Sequence, residues 1–78
     1  MAQTPLLFTM GDAAGIGPEL LARLYLDRPD LAGRGVVVGD PGTLRAALGM
    51  LSSDLPIEVL PVLADWVPGA GRMPLVRA

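Results

Sequence analysis

TMGDAAGIGPE, residues 9–19, decides the fold of this chain. The apolar run 5–8 before it is typical of a short buried strand, and after it leucines recur at helical spacing over 20–26. A strand, a glycine-rich turn and a helix make the first half of a βαβ unit. Such units bind their ligands at the edge where strands end and helices begin. The turn is therefore the first candidate for a functional site.

Three glycines shape this turn: Gly11, Gly15 and Gly17. Glycine adopts positive φ at little cost and lets a ligand or another backbone approach closely. The spacing is G-x₃-G-x-G, which matches neither the dinucleotide fingerprint G-x-G-x-x-G nor the phosphate loop G-x₄-G-K-[ST]. The chain contains no lysine, which excludes the phosphate loop. A tight turn with no ligand stays the alternative, because glycine turns before helices are common.

Other residues of the motif favour the start of a helix. Pro18 suits the first helical position, and the charge of Glu19 suits the positive end of the helix dipole. The backbone N–H groups of 17–20 could receive an anion or the polar edge of a ligand. Asp12 places a carboxylate at the mouth of the turn, where a turn-stabilising role is the alternative to ligand binding.

The rest of the chain alternates strands and helices, which predicts an α/β fold. We predict strands over 6–10, 35–39 and 57–62, helices over 18–27 and 41–51, a connecting loop over 30–34, a Pro/Gly-rich loop over 67–72 and a possible fourth strand from 73. The β-α-β-α-β order predicts a parallel sheet with right-handed crossovers. Pro61 lies inside the third strand, so that strand should end in a bend or lie at an edge.

The helical periodicity also predicts which side chains are buried. The first helix is expected to bury Leu20, Leu21, Leu24 and Tyr25. The second has a regular apolar stripe at i, i+3, i+4 and i+7, formed by Leu44, Ala47, Leu48 and Leu51.

Three further places have a functional and a structural interpretation. Asp40, between Gly39 and Pro41, could bond a ribose hydroxyl, but a helix cap explains the tripeptide completely. Trp66 could stack on a ligand, but it stands alone without a basic neighbour and is better explained as packing for a loop. Arg72 and Arg77 could reach a phosphate only in a longer protein.

Composition restricts the class of protein. Seventy-eight residues suit one small domain. Because 51% of the residues are hydrophobic and only 18% are charged, the composition indicates strands that are covered on both faces inside a larger domain. The alternative is a small domain with an apolar surface used for pairing. A net charge of −2 with scattered arginines argues against nucleic-acid binding. The apolar runs are too short to span a membrane, the start lacks the features of a secretory signal, and there is no cysteine. We expect a cytoplasmic protein.

Two motifs together resemble a known family. TMGDAAGIGPE and VVVGDPGTLR, residues 36–45, resemble the first two strand-to-helix junctions of the 4-hydroxythreonine-4-phosphate dehydrogenase family of vitamin B6 synthesis, in the same order and at a similar separation. One departure is Ala13, where the family usually has proline. The broader isocitrate/isopropylmalate dehydrogenase superfamily carries a shorter G-D-G-I-G-P-E at the same place. The resemblance covers essentially the whole chain but only the N-terminal part of the family, so residues 1–78 are expected to form one incomplete α/β segment of an isocitrate/isopropylmalate dehydrogenase-like fold.

The resemblance implies an activity. It implies a homodimeric NAD-dependent oxidoreductase that oxidises the alcohol of a small phosphorylated substrate with loss of CO₂. It also implies a divalent metal (zinc, magnesium or cobalt) held by histidines. Because this chain has no histidine, the metal ligands and the catalytic residues are expected outside it, and the chain alone is expected to be inactive. The residues expected to bind the cofactor are Asp12, Gly15, Ile16 and Gly17.

Two alternatives to this function stay open. The first is a non-catalytic fragment, or a small interaction module, that retains only the family's first βαβαβ. The second is a paralogue that acts on another four-carbon sugar-acid phosphate.

Overall fold

The computed structural model describes residues 4–10 and 17–78. Within them the strands are β1 (Leu6–Thr9), β2 (Gly35–Gly39), β3 (Ile57–Val59) and β4 (Met73–Arg77), and the helices are α1 (Pro18–Asp27), α2 (Pro29–Ala32) and α3 (Pro41–Met50). A single 3₁₀ turn, Leu63–Asp65, lies between β3 and β4.

All four strands form one parallel sheet in the order β1-β2-β4-β3. Phe8, Val37 and Leu75 stand side by side across its first three strands. The α/β class and the parallel sheet are therefore confirmed, as is the fourth strand. That strand is inserted between β2 and β3, so the last strand along the chain is central and the third lies at the edge.

The core lies between the sheet and the two longer helices. It consists of Leu21, Ala22 and Tyr25 from α1, Ala32 from α2, Leu44, Ala47 and Leu48 from α3, and Val37, Met73 and Leu75 from the strands. The predicted stripe of α3 is confirmed, with Leu51 partly buried at its end. The prediction for α1 is wrong at Leu20, which is 61% exposed, while Ala22 is fully buried in its place. The helix is rotated so that the smaller side chain faces the core.

The glycines at the two ends of β2 make room for side chains of β1. A Cβ atom at Gly35 would lie 2.2 Å from the ring of Phe8, and one at Gly39 would lie 2.5 Å from Cγ of Met10. Phe8 in turn packs edge-on against Tyr25, with ring centroids 6.2 Å apart. The two glycines thus let β1 send its side chains across β2 into the core.

Two regions differ from the sequence prediction by more than one residue. The short helix α2 occupies most of the predicted loop 30–34, because Pro29 suits a first helical position and Ala32 N donates to Arg28 O at 2.9 Å. The third strand ends at Val59 and not at 62. Leu60 N still bonds to Leu75 O at 2.7 Å, but Pro61 has no N–H to continue the ladder.

Tyr25 carries a buried hydroxyl that has no hydrogen-bond partner among the described residues. Burial raises the pKa of Tyr25 to about 12, against a smaller opposing effect of the Arg72 charge. The phenol therefore stays protonated at neutral pH and acts as a packing group. No helix in the described part of the chain is long and apolar enough to cross a membrane.

Candidate functional site at the carboxyl edge of the sheet

The carboxyl ends of β1, β2 and β4 meet at one edge of the sheet because the strands are parallel. Met10 N donates to Val38 O at 3.3 Å and Ala78 N donates to Gly39 O at 3.1 Å, so the three strand ends are held in register. Helices α1 and α3 begin at the same edge. This is the edge at which open α/β sheets bind their ligands.

Asp40 begins α3 as a capped helix start. Its Oδ2 accepts hydrogen bonds from the backbone N and from Oγ1 of Thr43, each at 2.8 Å. The Thr43 N–H and then its hydroxyl hold the pKa of Asp40 below its ordinary value, and the positive charge of Arg77 acts in the same direction. The cap interpretation is therefore confirmed. Sequence reasoning did not identify Thr43 as the partner, although a threonine three residues after a cap is a readable signal.

The cap makes stability depend on pH. We expect Asp40→Ala to lower the midpoint of thermal unfolding and Asp40→Asn to lower it less, because the amide oxygen can still accept from Thr43 N–H. Since the folded-state pKa of Asp40 is depressed, its contribution is complete above the unfolded value near 4 and is lost as the pH falls through the folded value. Calorimetry of wild type and Asp40→Ala should show a gap at neutral pH that closes in acid. A gap independent of pH would contradict this role.

Gly17 is the last glycine of the motif and the one that the described residues include. Its backbone is extended, with φ −67° and ψ 155°, and it caps α1 without a side-chain hydrogen bond. Positive φ is not used at this residue, because a helix N-cap takes extended backbone that any residue can adopt. A Cβ atom placed on Gly17 would meet no described atom within 4 Å. The remaining predicted cofactor residues, Asp12, Gly15 and Ile16, lie outside the described residues, and their role stays a prediction.

Arg77 is the one cation that the described topology brings to this edge beside Asp40. It ends β4, and β4 pairs with β2 so that Arg77 stands opposite Gly39. Thirty-six residues lie between Asp40 and Arg77 in the sequence, and only the insertion of β4 beside β2 makes the two neighbours. An exposed cation at this edge can attract an anionic ligand.

Arg72 and Trp66 do not belong to this edge. The Arg72 guanidinium donates to Gly69 O at 2.7 Å and to Val67 O, and its Nε lies 3.4 Å from Oε1 of Glu58. Arg72 thus holds the loop before β4 together. Trp66 is half-buried and donates its indole N–H to Gly35 O at 3.2 Å, which confirms a structural role for its side chain.

The described residues contain no cluster of side chains that could hold a metal ion. Among residues 4–10 and 17–78, no three His, Cys, Asp or Glu side chains lie close enough to hold an ion.

Known proteins resemble this sequence along most of its length. A 4-hydroxythreonine-4-phosphate dehydrogenase of Beijerinckia indica is 49% identical over 51 residues, 65% of this chain and 15% of the relative. Another of Stenotrophomonas maltophilia is 45% identical over 67 residues, 85% of this chain and 20% of the relative. The chain resembles the N-terminal part of the 4-hydroxythreonine-4-phosphate dehydrogenases.

The dehydrogenase similarity extends beyond this one name. A D-threonate 4-phosphate dehydrogenase of Bordetella bronchiseptica is 33% identical over 76 residues, 94% of this chain and 22% of the relative. The chain thus spans about a fifth of the length of the curated dehydrogenases that it matches. No family model matches the chain, and no solved structure gives a significant match.

Proposed function

We propose that this chain forms the N-terminal segment of an NAD-dependent 4-hydroxythreonine-4-phosphate dehydrogenase. The observation that carries the proposal is the 43–49% identity to curated dehydrogenases of that name. In the whole protein we propose an isocitrate/isopropylmalate dehydrogenase-like fold, a homodimer, and a phosphorylated hydroxy-amino acid as the substrate.

This segment would contribute a wall of the cofactor cleft. We assign the turn residues Asp12, Gly15, Ile16 and Gly17 to that wall, because in the sequence they follow β1, whose carboxyl end lies at the ligand edge of the sheet. No described atom lies within 4 Å of a Cβ atom placed on Gly17, which supports a close approach of a ligand to the start of α1. NAD, when bound, would accept the hydride. The N–H groups at the start of α1, together with Arg77, would orient the polar groups of NAD.

The divalent metal proposed for the whole protein does not fit this segment. A catalytic zinc site takes three protein ligands from His, Cys and carboxylates, and this chain has neither His nor Cys. We therefore propose that the metal ligands lie in the remainder of a family-length protein.

A chimera tests the proposal. In the Stenotrophomonas maltophilia dehydrogenase, the 67 aligned residues would be replaced by those of this chain, and NADH formation would be followed with 4-phosphohydroxy-L-threonine. We expect the chimera to keep activity, and we expect the 78-residue chain alone to give no NADH above the protein-free control. A chimera that folds by circular dichroism but lacks activity would contradict the proposal.

The same chimera tests which of two candidate substrates this segment favours. The match to a D-threonate 4-phosphate dehydrogenase extends over 94% of this chain, which favours a paralogue of the same chemistry as the alternative. Assays with D-threonate 4-phosphate and with the hydroxythreonine phosphate, in the chimera and in its unaltered parent, show whether this segment changes the substrate preference.

Gly17→Val tests the cofactor wall within the chimera. We expect weaker NAD binding, because a branched side chain would fill the space in front of α1 that a close ligand needs. The described core should stay folded, since a Cβ atom there meets no described atom within 4 Å and valine at the N-cap weakens only the start of α1. Gly49→Val is the matched control, because Gly49 is equally open but lies near the far end of α3. Equal NAD affinity of the two variants by calorimetry would contradict the assignment.

A further inference from the structure

Arg77 is an exposed cation at the carboxyl edge of the sheet, where α1 and α3 begin. It ends the central strand β4 and pairs with Gly39 at the end of β2. Side chains alternate along a strand, so the side chain of Arg77 lies on the same face as that of Leu75. Leu75 is buried in the core with residues of both helices. Arg77 therefore stands at the ligand edge on the face of the sheet that carries the helices.

Most arginines of this chain are engaged within the fold. Four of the six have a carboxylate or carbonyl partner: Arg23, Arg28, Arg45 and Arg72. Among the described residues, neither Arg34 nor Arg77 has an ion pair or a side-chain hydrogen bond. Arg34 directly precedes β2 and so lies at the opposite edge of the sheet. Arg77 is thus the one guanidinium that the described structure leaves available at the ligand edge.

Asp40 lies near Arg77 without occupying its donors. Oδ2 of Asp40 accepts from the backbone N and from Oγ1 of Thr43. The Thr43 N–H is also the main cause of the lowered pKa of Asp40, and the charge of Arg77 contributes less. The N–H fork of Arg77 is therefore free to meet a ligand.

The guanidinium group is suited to one kind of ligand group in particular. Its N–H donors lie in a plane and match two oxygens of a phosphate. The names of the related dehydrogenases, 4-hydroxythreonine-4-phosphate and D-threonate 4-phosphate, both specify a substrate with a 4-phosphate. The proposed cofactor, NAD, carries a pyrophosphate.

We propose that Arg77 binds a phosphate group in the dehydrogenase cleft, an inference that rests on the proposed function. The phosphate belongs either to the substrate or to NAD. Because the 4-phosphate is common to both candidate substrates, Arg77 strengthens the binding of either one and does not select between them.

Inorganic phosphate tests this site without any need for activity. The 78-residue chain would be titrated with phosphate while the Nε–H signals of its arginines are followed by NMR. We expect the signal of Arg77 to shift and that of Arg34 to stay in place. Arg34 is the matched control, because it is also exposed and has no partner among the described residues. Equal shifts of the two signals would overturn the proposal.

Kinetics measure how much Arg77 contributes to binding. The protein would be a Stenotrophomonas maltophilia dehydrogenase that carries residues 1–78 of this chain as its N-terminal segment. We expect Arg77→Ala to raise, by about tenfold or more, either the KM of both phosphorylated substrates or the Kd of NAD, because a hydrogen bond to a charged group is lost. A change in KM assigns the substrate phosphate, and a change in Kd assigns the pyrophosphate. In both cases kcat should change little, since only binding is affected.

Two further variants separate phosphate binding from a structural role. Arg77→Lys should recover part of the affinity, because lysine keeps the charge but not the planar fork. Arg34→Ala should leave KM and Kd unchanged. Equal constants for Arg77→Ala and Arg34→Ala in an active chimera would overturn the proposal, and a lowered melting temperature of Arg77→Ala alone would then show a structural role. An inactive chimera would count against the proposed function, and the phosphate titration would decide the role of Arg77 by itself.

Discussion

Leu75→Ala is expected to remove a large part of the free energy of unfolding of this protein. Leu75 is fully buried in β4, which the sheet places between β2 and β3. Truncation of a fully buried leucine costs about 2–5 kcal/mol, because it removes apolar burial and leaves a cavity. At about 0.05–0.15 kcal/mol per residue, a chain of this length has a total stability of only about 4–12 kcal/mol.

Urea unfolding followed by circular dichroism measures this effect. Leu20→Ala is the matched control, since Leu20 is 61% exposed and its truncation should change the free energy of unfolding by about 0.5 kcal/mol or less. Leu75→Ala should move the urea midpoint strongly toward zero, with the control near wild type. Equal midpoints for the two variants would show that β4 is not part of the stable core.

The elements of this fold were predictable because their signals are local. Apolar runs and prolines at first helical positions gave the strands β1 and β2 and the helices α1 and α3, with starts that the structure reproduces. Rotation of α1 about its axis was not predictable. The sequence offers Leu20 and Ala22 as neighbours, and only the distance between helix and sheet decides that the smaller residue faces the core.

The order of the strands depends on distant parts of the chain. The placement of β4 between β2 and β3 brings Arg77 to Gly39 and beside Asp40, and no local pattern contains that information. For the candidate site, the helix cap at Asp40 was predicted correctly from the sequence. The cofactor roles of Asp12, Gly15, Ile16 and Gly17 stay predictions.

The proline inside β4 leaves one hydrogen bond of the sheet without a donor, and Trp66 supplies a donor in its place. Val37 pairs with Leu75 and Gly39 with Arg77, and Ala78 N donates to Gly39 O. The same pattern, continued toward the start of the strands, assigns Gly35 O to the N–H of residue 74. Residue 74 is a buried proline and has no N–H. The indole N–H of Trp66 donates to Gly35 O instead, at 3.2 Å.

Trp66→Phe is therefore expected to destabilise the protein by about 1–3 kcal/mol, the usual cost of leaving a buried acceptor without a partner. For a domain of this size each 1 kcal/mol lowers the melting temperature by about 4–8 °C. Leu63→Ala, in the same connection but 43% exposed, is the control for local loosening and should change the melting temperature little.

A second substitution distinguishes the two causes of destabilisation in Trp66→Phe, the loss of the indole N–H donor and the loss of packing. In wild type, Pro74→Ala loses buried proline atoms without supplying a donor that is needed. In Trp66→Phe, the new N–H of residue 74 lies where the sheet ladder requires one and can bond to Gly35 O. We therefore expect Pro74→Ala to be less harmful, or even stabilising, in the Trp66→Phe background, with a coupling energy of about 0.5–3 kcal/mol. Thermal unfolding of the two single variants and the double variant measures this coupling. Strictly additive effects would mean that Trp66 stabilises the loop through its ring alone and that the acceptor at Gly35 finds its partner elsewhere.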